Sequence, residues 1–274
     1  MPANYTHRVF GREVLASLSP STLTHIEDHP LLFQMGLHGP DLLFYYMPIL
    51  STPLGQLGYT LHHHSGREVL SVLLRAVDSL PESKKDASLS YTLGFACHYL
   101  LDSACHPYVY QLIKSDKADH CTIEAQMDYW LMVRDGTLPR ETNAVSHLQG
   151  MTEEDFAVIA RLFSALSKID SPDAPIKERP GQIASAYRTM QRLCRIFSSK
   201  HATVRGLARI GLWISGTYEK RKGMIFPKSP DPAFFGCNEY LLKLLTDAAA
   251  EAPILLEGIC RRDLSPRFDR TFEG

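Results

Sequence analysis

Nowhere in its 274 residues does the chain stay apolar for the roughly 20 positions that span a bilayer. Its opening, Met-Pro-Ala-Asn-Tyr-Thr-His, has neither the basic start nor the apolar stretch of a secretory leader. Together these absences predict a soluble, cytoplasmic protein without a transmembrane segment. No Cys-x-x-Cys pair occurs among the six cysteines (Cys97, Cys105, Cys121, Cys194, Cys237 and Cys260), which excludes the usual thiolate zinc and redox motifs. Cys97 and Cys105 fall eight apart in one helical stretch, too far to bridge, so the thiols are expected reduced and packed in helices. No His-Asp dipeptide and no Glu-x-x-His pair is present. The first absence argues against phosphohydrolases built on that dipeptide, and the second against a ferritin-like di-iron bundle. Neither sign of charge dominates: 29 Lys and Arg face 30 Asp and Glu, a formal net charge of -1. Such a balance gives no global pull toward nucleic acid, and no stable nucleic-acid partner is predicted.

What is present is enough apolar matter for a large core, with 45% hydrophobic and 22% charged residues. Apolar residues recur at spacings of three and four, and strand-like alternation is scarce. The pattern predicts helices near 7–18, 22–36, 61–79, 87–106, 119–134, 152–168, 181–199, 201–218 and 232–247, with a last one after Pro253. Thr152, followed by Glu153, Glu154 and Asp155, reads as an N-cap with first-turn acids. Pro180 stands where a helix can begin, and Pro107 is expected to end the one before it. Residues 135–151 and 222–233, rich in Gly, Pro and polar side chains, read as linkers. The fold class is therefore all-α, a multi-helix bundle forming one helical domain over 1–274.

Ten of the twelve histidines precede residue 121, so the chemistry is expected in a core over 1–135, with 152–274 adding packing helices. The densest signal is His98-Tyr-Leu-Leu-Asp102-Ser-Ala-Cys-His106. Side chains four apart share a helical face, so His98, Asp102 and His106 project the same way from an otherwise apolar helix. Imidazole nitrogens and carboxylates are ordinary zinc ligands, and a carboxylate bridges two metals where an imidazole serves one. Buried without a partner or a metal, three such groups would be costly. His120 and Glu124 repeat the spacing on the next helix, with Asp128 one turn on as an outer carboxylate. The triplet His62-His63-His64 can aim one ring at most into any site. His7 and Asp41, the latter in the turn Gly39-Pro40-Asp41, stand alone. Singly, each pattern also reads as a hydrogen-bonded pair, a solvated face or a turn; two ligand-spaced helices within thirty residues point to a multinuclear metal site.

In this order, Gly36-Leu-His-Gly-Pro-Asp41, a histidine-bearing helix, His98-x3-Asp102 and His120-x3-Glu124 resemble the zinc-dependent phospholipase C family, which is related to single-strand-specific zinc nucleases. The resemblance runs over roughly residues 5–135. It implies a helical bundle with three zinc ions in a cleft, and two or three zinc ions are expected on this chain. Carried over by motif, His98 and Asp102 would hold one ion with a triplet histidine. His62 is favoured because it follows an apolar residue as the family's histidine does, although periodicity does not separate it from His63 or His64. Asp102 would bridge to a second ion on His7, and His120 and Glu124 would hold the remaining one with His106. Asp41 would be the catalytic carboxylate, a general base or an orienter of water.

The chain departs from the family twice. The family's histidine after the aspartate lies six residues on, where Tyr108 stands here; His106 comes two residues earlier. Secreted members also ligate metal through a processed N-terminal tryptophan, whereas this chain has Met1 and no tryptophan before Trp130. The implied activity is zinc-dependent phosphodiester hydrolysis by a metal-activated water, with a phosphodiester or phospholipid as substrate. Phospholipid access needs an apolar rim, and a nuclease needs stacking aromatics beside a basic groove. Tyr45, Tyr46, Tyr99, Tyr108 and Tyr110 are available for either, or for packing. A metal-stabilised binding protein without turnover is the reading of a different class.

Overall fold

The computed structural model describes residues 3–227 and 229–274, and over these residues the backbone is helical. The helices are α1 (Asn4–Leu15), α2 (Pro20–Glu27), α3 (Pro30–Gly36), α4 (Pro53–Leu61), α5 (Gly66–Asp78), α6 (Glu82–Lys114), α7 (His120–Arg134), α8 (Glu153–Leu166), α9 (Pro180–Phe197), α10 (Ala202–Ile214), α11 (Tyr218–Arg221) and α12 (Phe235–Cys260). Five short 3-10 turns join them, the longest over Gly39–Tyr45. Among the described residues, strand-type pairing is limited to the single bridge Ser65–Thr271. No described helix is long and apolar enough to cross a membrane. The all-α expectation is met.

The helix starts follow local chemistry. Pro20, Pro30, Pro53 and Pro180 each open a helix, where the missing N–H costs nothing. Ser19, Thr52, Ser65 and Asp119 each accept from a backbone N–H three residues on. Thr152 is the expected N-cap, and with Asp155 it completes a reciprocal capping box.

Four boundaries differ from expectation. The helix expected over 22–36 is two, because Pro30 starts afresh after α2. The one expected over 61–79 starts later: the histidine triplet fills a turn, α5 begins at Gly66 behind its Ser65 cap, and α4 before the triplet is unexpected. Pro107 does not end a helix; α6 runs through it to Lys114. Pro253 likewise lies inside α12. An interior proline costs an isolated helix about 3 kcal/mol, but α6 is apolar on nearly every side, and burial of Leu93, Phe95, Ala96, Cys97, Tyr99 and Leu100 at 0% exposure outweighs that cost. The two expected linkers also contribute to the interior, through Val145 and Leu148 in one and Met224, Ile225 and Phe226 in the other.

α6 is the axis of the structure. One apolar cluster built around it runs from Phe10 on α1 to Phe268 and Phe272 beyond α12, so both halves of the chain share it. α3 crosses α6 closely enough that Gly36 and Gly94 meet backbone to backbone, and a Cβ at either would strike the other helix's carbonyl groups. That contact fixes α3, and with it the turn carrying Asp41, against the helix carrying His98. All six cysteines are free thiols and all lie on helices.

A candidate metal centre around Asp102

Asp102 stands on the buried face of α6 at 5% exposure, and four histidines from three segments converge on its two oxygens. Its Oδ1 lies 3.2 Å from His7 Nε2 on α1 and 3.9 Å from His106 Nε2 one turn along α6. Its Oδ2 lies 3.1 Å from His98 Nε2, one turn back, and 4.0 Å from His62 Nε2 in the triplet turn. On the His106 side, Glu124 Oε1 is 2.9 Å from His120 Nε2 and 3.7 Å from His106 Nε2. On the other side, Asp41 Oδ1 is 3.2 Å from His62 Nε2. Donor atoms fall into three groups with the spacing a metal ion needs: His7, His98 and Asp102; Asp41, His62 and His98; and His106, His120 and Glu124. Every residue singled out from the sequence as a ligand or catalytic carboxylate belongs to one of them.

The rings are held by their far sides. His98 Nδ1 is 3.1 Å from the Leu37 carbonyl, His62 Nδ1 is 2.7 Å from that of Gly58, and His106 Nδ1 is 2.9 Å from that of Phe272. A carbonyl only accepts, so each Nδ1 carries its proton and each Nε2 presents a lone pair toward the centre. His98 Nε2 is buried with no hydrogen bond, since its approach to Asp102 is close but misaligned. A buried lone pair aimed beside a carboxylate, rather than at it, suits a third atom between them. Gly39 makes room for this arrangement: its φ is +46°, and a Cβ there would run into the His98 ring.

The charges are strongly coupled. Burial opposes ionisation of Asp102, but the charges of His98 and His106 outweigh it and hold the carboxyl well below the usual range. Glu124 behaves likewise, with His120 providing the main opposing charge. Burial lowers His106, yet Asp102 and Glu124 together push it up to about 9. His7 is lowered, chiefly by burial and then by the neighbouring charge of His98. The field that favours protons on His106 equally favours a bound dication, which would displace them.

The triplet separates in space. His62 turns inward, His63 approaches Glu273 at 3.4 Å, and His64 sits between Glu68 and Asp170, 2.8 Å from each. Asp128 touches no ligand; it accepts from the backbone N–H groups of Tyr5 and Thr6 and from the Thr6 hydroxyl, tying down the first turn of α1 that carries His7. The expectation built on Met1 falls outside the described residues. A cleft of about 260 Å³ opens over Asp41, Asp102 and Glu124, walled by Phe44, Tyr59 and Tyr110 and rimmed by His63 and Glu273. Tyr45 and Tyr99 are buried at 1% and 0% and serve packing, and Tyr108 packs against Tyr240.

Sequence reasoning missed the segment after α12. Phe272 is fully buried, packs against the His62 and His98 rings, and lends its carbonyl to His106. Tyr99 donates to the carbonyls of both Arg267 and Arg270, and Gly66 N–H donates to Arg270, which pins that segment across α5 and α6. No motif marks these residues, because they act through backbone carbonyls.

The sequence model of the family described as zinc dependent phospholipase C matches residues 6–171. The chain belongs to the zinc-dependent phospholipase C family. The match extends beyond the motifs at 5–135 to take in α8, and leaves α9 to α12 outside it. No curated protein and no solved structure matches the chain.

Proposed function

We propose that this member of the family is a zinc-dependent phosphodiester hydrolase of the phospholipase C kind, holding two or three ions. The observation that carries the reading is the convergence of four histidine Nε2 atoms on Asp102, with His62, His98 and His106 each anchored through Nδ1 to a backbone carbonyl. The donor set, imidazole and carboxylate without thiolate, suits zinc, and the buried, unbonded His98 Nε2 fits a ligand atom.

In this reading His62, His98 and Asp102 hold one ion, His7 joins Asp102 on another, and His106, His120 and Glu124 hold the third. Zinc in these positions supplies Lewis acidity to a phosphoryl group and lowers the pKa of nearby water. Asp41, at the cleft wall and 3.2 Å from His62, is placed to accept a proton from the attacking water. Burial, which would raise its pKa, is more than offset, in part by the His62 hydrogen bond and the charges of His98 and His62, so the carboxyl is held well below its usual range and stays ionised, which suits it to orient that water. Phe44, Tyr59 and Tyr110 line the cleft and favour a substrate with apolar or aromatic surface next to its phosphate.

Metal content per chain, measured beside turnover of phosphatidylcholine and of single-stranded DNA, tests the reading. Wild type should carry two or three zinc ions and cleave a phosphodiester, and Asp102→Ala should lose most of both. Turnover that survives complete metal removal would sink it. Zinc retained without turnover on either substrate would replace it with a metal-stabilised binding protein, and cleavage of DNA alone with a nuclease.

A further inference from the structure

α10 turns an unusually apolar face outward. Leu207, Ile210, Trp213 and Ile214 are 68%, 54%, 74% and 74% exposed, four of the thirteen large hydrophobic side chains left exposed among the described residues. Leu207, Ile210 and Ile214 follow the three-and-four spacing of one helical stripe, with Trp213 at its edge. The inner face of the same helix is already satisfied: Ala208 and Leu212 pack on Phe197, Met224 and Ile225. Cys121 packs on that cluster too, and also lines the cleft.

A second exposed group borders the cleft mouth. Met47, Ile49 and Leu50 are 45%, 65% and 59% exposed. Arg221, just past α10, donates to the Pro48 carbonyl at 2.9 Å, which ties the two regions together. Leu50, Tyr59, Phe44 and Arg221 line a depression that shares Phe44 and Tyr59 with the cleft.

Charge selects the occupant. Residues 202–222 contain five Lys and Arg (Arg205, Arg209, Lys220, Arg221 and Lys222) and one acid, Glu219, a surplus of four in a chain whose total is -1. Arg209, Lys220 and Lys222 are exposed beside the stripe. A second copy of the chain docking two-fold on this face would bring those cations against their own kind. An apolar stripe with tryptophan at its edge and a cationic flank instead matches the boundary of an anionic bilayer, where rings and aliphatics enter the headgroup layer and lysines meet lipid phosphates. We propose that the outer face of α10, with the 47–50 loop, docks the protein on anionic phospholipid membranes with the cleft mouth against the lipid headgroups. The proposal deepens the phospholipase reading by saying how a lipid reaches the cleft, and it stands on binding, which is measured without turnover.

The test is sedimentation of zinc-loaded full-length protein with vesicles of phosphatidylcholine alone and of phosphatidylcholine containing phosphatidylserine. Wild type should bind the anionic vesicles, bind the neutral ones more weakly, and release at high salt. Trp213→Ser combined with Ile214→Ser should weaken partitioning at least about tenfold, and Arg209→Glu should weaken it on anionic vesicles alone. Both substitutions sit on solvent, so circular dichroism and hydrolysis of a small water-soluble phosphodiester should match wild type. No binding by wild type to anionic vesicles would overturn the proposal, as would a doubly substituted variant that binds like wild type. A wild-type dimer in sedimentation velocity that the double substitution dissociates would also overturn it, assigning the stripe to a second copy. Loss of hydrolysis with vesicle binding intact would overturn the hydrolase reading and leave this one standing.

Discussion

His106 Nδ1 lies 2.9 Å from the carbonyl oxygen of Phe272, 166 residues further along the chain, so the orientation of a ligand on α6 is set by a segment far outside its own motif. His106 also stands two residues before the position where the family carries its histidine, and the Phe272 carbonyl fixes the tautomer that lets it face Glu124. Deleting residues 271–274 should therefore weaken the ion of the His106, His120 and Glu124 group about 10- to 100-fold, with the other two groups affected less. Competition with a calibrated chelator measures this. Equal loss at every site would mean that the segment supports the fold as a whole and not this ring.

Gly39→Ala should destabilise the protein by about 2–4 kcal/mol, since it combines a left-handed φ of +46° with a collision against the His98 ring. Urea unfolding of the metal-free protein reads the cost directly. A change below about 1 kcal/mol would show that the turn relaxes away from α6 at little expense.

Asp128→Asn should cost about 1–3 kcal/mol, because the buried Tyr5 N–H loses its acceptor and meets an amide N–H₂. The deficit should vary with pH. Burial pushes the Asp128 carboxyl up to about 7, against the lowering effect of its bonds from Thr6 and Tyr5, while the unfolded group titrates at about 3.9. The folded protein therefore binds the extra proton between those values. Asp128's contribution is fully present below about pH 4 and is lost as pH rises through about 7. Urea midpoints of wild type and variant across that range should converge with rising pH. Divergence would show that the three hydrogen bonds outweigh burial and keep the carboxylate ionised.

Zinc should raise the thermal midpoint of apo-protein, because Asp41, Asp102 and Glu124 are gathered with histidine nitrogens into three groups of ligand atoms close enough to share an ion. A single site at 100-fold excess over its Kd adds about 2.7 kcal/mol, and calorimetry with and without chelator measures the sum. An unchanged midpoint with zinc bound would mean that the unfolded chain holds the metal equally well.

Much of this arrangement is legible in sequence wherever a helix imposes its period. The spacing of four puts His98, Asp102 and His106 in one row and His120 with Glu124 in another, and the structure places both rows facing each other. Legibility fails where geometry comes from a turn or a carbonyl. Periodicity cannot choose among His62, His63 and His64, because the triplet is not helical; Ser65 caps a new helix and the three rings fan apart. Pro107 misleads for the opposite reason: the stop rule weighs local backbone cost, whereas α6 is held on all sides by tertiary packing. Phe272 carries no signature at all, since any residue has the carbonyl it offers.

The three anchoring carbonyls belong to Leu37, Gly58 and Phe272. During synthesis the first two emerge early, alongside the ligands on α1 and α6, but the third is made only after α12. A nascent protein must therefore wait for residue 272 before His106 is locked and before the Phe272 ring closes on His62 and His98. Loading of that position becomes a late checkpoint, reached only by chains that have been translated through α12 and folded back across α6.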